Sequence, residues 1–211
     1  DCAWMLSAMA GHDPRDSTSV ERPVDDYVGA LEDSLAGKVI GVPASFFAEG
    51  LDPEVSAAVQ AALDVYRELG AEVREISMPH FEYGIATYQV ISAAEASSNL
   101  ARFDGVRFTH RTEAPEDLLD LYKASRAEGF GAEVQRRILV GTFVLSAGYY
   151  DAYYLKAQKV RTKIRDDFAK AFEEVDLIAG PTSPTTAFGI GEKSADPIAM
   201  YLSDLYTTAT N

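Results

Sequence analysis

The residues able to act as nucleophile or base are few: three histidines, one cysteine and dispersed serines among 211 positions. Their spacing assembles no reaction centre. A Gly-x-Ser-x-Gly turn would lift a serine into an exposed, strained position, and no such run occurs. Cys2 has no adjacent basic residue to favour its thiolate, and His110 has no serine near it in the sequence. Ser77 precedes His80 by three residues, but Pro79 between them disfavours a shared helical face, so the pair reads as a turn. His12, Asp13 and Asp16 could be part of a metal set, yet no fourth ligand is in view and Pro14 marks a turn-rich surface loop. Neither glycine-rich phosphate-cradling motif is present. The chain therefore offers binding groups more than bond-breaking groups. An arginine, an acidic residue and tyrosines near a proline-bounded strand end would suit a small zwitterion. The guanidinium would pair with its carboxylate in a two-pronged fork, and an acid with its ammonium.

Such groups need elements to hold them. From Tyr153 the apolar residues Ala157, Val160, Ile164, Phe168, Phe172 and Val175 recur at steps of three and four, which predicts a long surface helix with one buried stripe. Its other face is charged. Asp176 to Gly180 is a short apolar run bounded by Pro181 and Pro184, which predicts a buried parallel strand. In α/β folds ligands sit beyond the carboxyl ends of such strands, so the loop from Pro181 to Ala187 is the first candidate for a site wall.

Upstream, Trp4, Leu6 and Met9, closed by Gly11, read as a helix, and Pro23 to Leu35 reads as a short one. Lys38 to Pro43 is a strand ended by proline. Asp52 is the expected N-cap of a helix with Pro53 at its first position, a stripe of Val55, Val59, Leu63 and Tyr66, and Gly70 as its stop. Glu72 to Ile76 follows as a strand, giving a βαβ unit in a parallel sheet. Phe81 to Phe103 reads as a helix carrying Ser92, Ala93, Ala96, Ser97 and Ser98, small residues that suit tight packing rather than catalysis. Asp104 and Gly105 mark a turn in the following loop, then Pro115 to Ala127 and Gly131 to Ala147 read as two helices. In the second, Arg136 and Arg137 are adjacent and cannot share a face, so one should be solvated and the other turned inward or sideways.

With 47% hydrophobic residues the chain can bury a core without metal or disulfide staples. Thirty-three acidic residues against 19 basic ones give a net charge of -14, which argues against gripping a phosphate backbone unaided. The lone cysteine, and the lack of a signal-like segment or membrane-length apolar run, predict a cytoplasmic protein. Both ends look cut, so the sequence is expected to be an internal segment of a longer chain.

Three stretches carry a resemblance. EASSNLARFDGVRF (Glu95 to Phe108), GFGAEVQRRILVGTFVLSAGYYDAYYLKAQKVRT (Gly129 to Thr162) and DLIAGPTSPTTAF (Asp176 to Phe188), with LAGKVIGVP (Leu35 to Pro43), resemble the amidase signature family. Within it they resemble the glutaminase (A) subunits of the tRNA-dependent amidotransferases. The resemblance implies an α/β fold with a mixed or parallel sheet covered by helices, of which residues 1–211 would be the C-terminal-side portion, truncated at both ends. It implies that Tyr88, Arg137 and Asp204 bind free glutamine, Arg137 at the carboxylate and Asp204 beside the amino group. After Asp204, Thr208 and Ala209 depart from the family's more usual apolar-Pro pair.

The resemblance also implies what this sequence lacks. The family's nucleophilic serine, second serine and lysine lie in a Gly/Ser-rich upstream half that nothing here matches, so the chain alone is expected to be inactive. The whole glutaminase would hydrolyse glutamine and pass ammonia to the B subunit of the enzyme. There, with ATP and Mg, Glu-tRNA(Gln) becomes Gln-tRNA(Gln), or Asp-tRNA(Asn) becomes its amide. The B and C subunits of the amidotransferase would be its partners, and misacylated tRNA would be held through the first of these. No cofactor would bind this segment, and no membrane would be involved. Two rivals stay open: another amidase signature hydrolase acting on a neutral or aryl amide, which should not need Arg137, and a non-catalytic module that docks partner subunits.

Overall fold

The computed structural model describes residues 1–48, 50–192 and 196–210. Its organising element is the central strand β1 (Val39–Pro43), which pairs in parallel with β2 (Glu72–Ile76) along its whole length, Val39 opposite Glu72 and Pro43 opposite Ile76. On its other side β1 pairs in parallel with β3 (Leu177–Ile178), giving the order β2-β1-β3. The expected α/β class and parallel sheet are both present.

Between β1 and β2 runs α2 (Pro53–Glu68), preceded in the chain by the short α1 (Cys2–Met9). The Asp52 carboxylate accepts the Glu54 N–H at 2.7 Å, Pro53 opens the helix, and Gly70 at φ +95° leaves it. These are the start and stop signals read from the sequence. Four helices connect β2 to β3: α3 (Gly84–Asn99), α4 (Leu118–Gly129), α5 (Ala132–Val144) and α6 (Lys156–Ala171). A final short helix, α7 (Pro197–Leu202), leads into the turn that carries Asp204. The expected helix between Pro23 and Leu35 is only a 3-10 turn, Gly29–Glu32.

Two apolar clusters hold the sheet. Ile40, Leu63 and Ala71 are buried between the sheet and α2, with Val42, Val59 and Val73 packed around them. Phe46, Met78, Phe81 and Tyr206 form the other cluster, against Phe168 of α6 and Ile178 of β3. The Phe46 and Phe81 rings lie 4.6 Å apart, and the Tyr206 hydroxyl donates to the Phe46 carbonyl at 2.9 Å. Each such buried aromatic contributes on the order of 1.5–3 kcal/mol, so this cluster fixes the 204–210 turn on the body.

The small residues of α3 do what their size predicts. α3 lies against α5 and α6, and Gly141 of α5 sits so close that a Cβ there would overlap the Ala93 carbonyl and come within 2.6 Å of the Ser97 Cβ.

Two further expectations fail, each for a local reason. The helix read from Tyr153 to Val175 is regular only over α6, because Tyr150–Leu155 winds as a wider π-type turn after Gly148 at φ +87°. Burial falls on Ala157, Ile164, Ala171 and Val175, whereas Tyr153 is exposed and meets the Phe143 ring edge-on and the Tyr149 ring at a tilt. The strand read from Asp176 to Gly180 is two residues long and lies at the sheet edge, with Leu177 52% exposed rather than buried. Asp176 instead uses its carboxylate, which accepts the Val39 N–H at 2.8 Å and pairs with Lys38 at 3.2 Å. Gly180 lies flat on the Phe46 ring, where any Cβ would collide.

Candidate functional site

Arg137 lies in the second turn of α5 and Tyr88 in the second turn of α3, and the packing of the two helices brings their polar ends together. The Arg137 Nη1 faces the Tyr88 hydroxyl oxygen at 3.5 Å, the long limit of a hydrogen bond. Its Nε donates to Glu133 Oε1 at 3.0 Å. Glu133 first and Tyr88 second hold the guanidinium pKa above its ordinary value, so this group is a permanent cation. Among the described residues no hydrogen-bond partner occupies its Nη2. The guanidinium thus presents an edge with Tyr88 beside one nitrogen and the other open, the shape a carboxylate needs for two-pronged pairing.

The adjacent arginines divide as anticipated. The Arg136 side chain is 56% exposed and that of Arg137 36%. Both nevertheless reach Glu133, Arg136 Nη1 pairing with Oε2. Sequence reasoning did not pick out Glu133 or Tyr201, whose hydroxyl donates to Glu133 Oε1 at 3.2 Å. The signal for Glu133 was available, since it stands four residues before Arg137, the favoured spacing for a helical ion pair. No local spacing could reveal Tyr201, which comes 68 residues later.

Asp204 is exposed, in the turn after α7. Its backbone carbonyl accepts both the N–H and the hydroxyl of Thr208, at 3.0 and 2.8 Å, and this tight turn brings Ala209 against Gly84 of α3. Its carboxylate makes no hydrogen bond or ion pair with Tyr88 or Arg137 among the described residues. The structure therefore joins two of the three residues directly and sets the third on a neighbouring turn.

Between α3, α6 and that turn lies an open cleft of about 470 Å³, lined by Thr87, Tyr88, Ser92, Arg161, Arg165 and Thr208 among others. The loop after β3 lines a second cleft of similar size, through Gly180, Pro181 and Thr182 facing Phe172 and Tyr206. The two clefts share Phe168 and Thr210 on their rims. The loop read from the sequence as a candidate site wall lines the second cleft and not the one Tyr88 lines. Asp52, at the start of α2, donates its N–H to the Pro184 carbonyl at 2.8 Å and holds the loop in place.

The other sequence candidates are structural. Asp13 pairs with Arg15 and Asp16 accepts from Thr18, and among the described residues no group of His, Cys, Asp and Glu could hold a metal. His80 faces Asp167 rather than Ser77, and His110 pairs with Glu128, whose carboxyl is held below its usual range chiefly by that contact. Ser97 donates to the Ala94 carbonyl at 2.9 Å and packs against Gly141. Cys2 is exposed. No helix among the described residues is long and apolar enough to cross a bilayer.

Comparison with known proteins fits this fold. The family model described as Amidase matches residues 1–211. The A subunit of the glutamyl-tRNA(Gln) amidotransferase of Methylococcus capsulatus is 64% identical over the whole chain, and that of Thioalkalivibrio sulfidiphilus 60%. The chain spans 44% of the length of each. A crystal structure of the A subunit of glutamyl-tRNA(Gln) amidotransferase from Thermotoga maritima superposes with a TM-score of 0.69 at 38% identity, covering 99% of this chain and 40% of that one. A bacterial aryl acylamidase of the amidase signature family, 20% identical with a TM-score of 0.63, shares the fold over 87% of this chain and 34% of its own. With a family model matched from its first residue to its last, the chain belongs to the amidase family.

Proposed function

We propose that this chain forms the glutamine-binding wall of the glutaminase (A) component of a tRNA-dependent amidotransferase. That component hydrolyses glutamine to supply ammonia for converting Glu-tRNA(Gln) to Gln-tRNA(Gln) with ATP. Residues 1–211 are then the C-terminal-side portion of an amidase signature domain, and the serine nucleophile, second serine and lysine come from a part of the protein outside this sequence. The B and C subunits are its cytoplasmic partners, with ATP, Mg and misacylated tRNA held at the first of these. The observation that carries the reading is the Arg137 guanidinium, held through Nε by Glu133 at 3.0 Å, with the Tyr88 hydroxyl at 3.5 Å from its Nη1.

The work of these residues is orientation. Arg137 pairs with the glutamine α-carboxylate, and Tyr88, whose oxygen faces the guanidinium, keeps its hydroxyl proton to donate to the same carboxylate. Asp204 meets the ammonium. Anchoring the backbone end of glutamine leaves its side-chain amide to extend towards the nucleophile, and such orientation converts binding into rate.

The test uses the full-length protein together with its partners. Arg137→Ala is expected to lower glutamine-driven kcat/KM about 30-fold or more, because it strips a charged contact from an anionic substrate. Lysine should restore only part, since a point charge lacks the planar fork. Amidation driven by added ammonium bypasses the pocket and should persist. Equal loss of both reactions would remove Arg137 from the site. Persistence of glutamine use would point to the plain amide hydrolases, whose pockets do not need this arginine.

A further inference from the structure

Resting on that reading of the pocket, the geometry points to Glu133 as a positioning residue that sets both ends of the glutamine site in register. One carboxylate gathers three donors from two separate parts of the chain. Oε1 accepts from Arg137 Nε at 3.0 Å and from the Tyr201 hydroxyl at 3.2 Å, while Oε2 is taken by Arg136 Nη1. Tyr201 belongs to α7, and its own carbonyl accepts the N–H of Asp204 at 3.1 Å. From the Arg137 guanidinium to the Asp204 backbone, the path therefore runs through Glu133, Tyr201 and one turn of main chain.

The division of the carboxylate matters. A carboxylate free to use both oxygens on one arginine would cover Nε and Nη2 together in a fork. Here Arg136 holds Oε2, so Glu133 meets Arg137 through a single oxygen and leaves Nη2 without a partner among the described residues. The unpaired nitrogen and the neighbouring Nη1 are the edge that faces an incoming carboxylate. Two guanidiniums against one carboxylate also leave the cluster with a net positive charge, so the anchor does not cancel the attraction for an anionic substrate. Arg136, which touches none of the three proposed glutamine contacts, thereby has a role: it occupies the second oxygen of the anchor.

Several rotatable bonds separate the Arg137 guanidinium from the backbone, and a long side chain left unheld loses that freedom only when substrate binds. Removing the anchor should then weaken glutamine binding rather than the chemical step. The experiment measures glutamine-driven and ammonium-driven amidation by the assembled enzyme with Glu133→Ala, Glu133→Gln and Tyr201→Phe. Glu133→Ala is expected to raise KM for glutamine about 10-fold with kcat and the ammonium-driven rate near their starting values. Glu133→Gln keeps an acceptor oxygen in place and should recover most of the loss. Tyr201→Phe should raise KM in the same direction, and its effect should not add to that of Glu133→Ala, because both break one path. An unchanged KM in Glu133→Ala and Tyr201→Phe, or a parallel fall of both reactions in these variants, overturns the assignment. Arg137→Ala measured alongside separates the two claims. If it is selective for glutamine while the Glu133 variants are not, the pocket stands and only the anchor falls.

Discussion

Asp167 of α6 holds His80 twice: one carboxylate oxygen accepts the His80 backbone N–H at 2.8 Å and the other meets its ring Nδ1 at 3.0 Å. The Asp167 side chain is 11% exposed, so water cannot readily replace either contact. His80 starts the turn that leads into α3 and Tyr88, and the pair thus ties the start of α3 to α6.

Asp167→Ala breaks both bonds and strands a backbone donor, whereas His80→Ala removes only the ring contact. In the full-length protein the aspartate variant is expected to cost about 1–3 kcal/mol of stability and the histidine variant about half as much. Urea unfolding of the two variants checks this. A histidine variant at least as damaged as the aspartate one would show that the backbone bond contributes nothing.

Gly141 tests the close approach of α5 to α3. A methyl group there meets backbone, the Ala93 carbonyl, which cannot swing aside as a side-chain tip can. Gly141→Ala is expected to cost about 1–3 kcal/mol, even though alanine favours helix over glycine by about 1 kcal/mol. Gly131→Ala meets nothing within 4 Å at an ordinary backbone angle, and should stay within about 0.5 kcal/mol of the parent. Similar melting temperatures for the two variants would mean that the helices are not in contact at this point.

Asp176 gives a pH dependence of defined sign. The Val39 N–H first, and Lys38 second, hold its carboxyl below the ordinary carboxylate value. A group whose pKa is depressed on folding contributes stability above its unfolded value, and that contribution fades as pH falls through the folded value. The difference in stability between the parent and Asp176→Asn is therefore expected to be steady from neutral pH down to about 4–5 and to narrow below that. Paired urea titrations at about pH 7 and about pH 3 bracket that window. A gap that widens on acidification would reverse the assigned sign.

Local chemistry made the βαβ unit readable. Asp52, Pro53 and Gly70 act through their own backbone preferences, so the bounds of α2 follow from neighbours in sequence. The same holds for β2, read correctly to both ends. Tyr150–Leu155 was not legible, because its apolar and aromatic residues fit a helical period equally well whether the backbone winds as an α-helix or more widely. Leu177 misled for another reason. Hydrophobic composition says that a strand wants a partner, and it does not say on which edge the sheet ends. In the proposed site, Tyr88, Arg137 and Asp204 follow from family resemblance, and the residue that joins two of their segments follows from the fold. Glu133 shows half of its role in its spacing from Arg137. The other half, through Tyr201, depends on a tertiary fold that brings α7 back to α5.

The central position of β1 also sets an order of assembly. Ile40 pairs with Val73, 33 residues on, and with Leu177, 137 residues on. Closing the longer loop costs about 1.3 kcal/mol more in chain entropy, so the unit of β1, α2 and β2 nucleates before the other neighbour of β1 can dock. On a ribosome adding about 5–20 residues per second, the second edge of β1 waits about 7–27 s for β3 to be made. Through that interval Val39 to Val42 present an open apolar edge to any passing strand, and the flanking Lys38 and Pro43, a charge and a residue without an N–H, are the features that discourage a wrong partner.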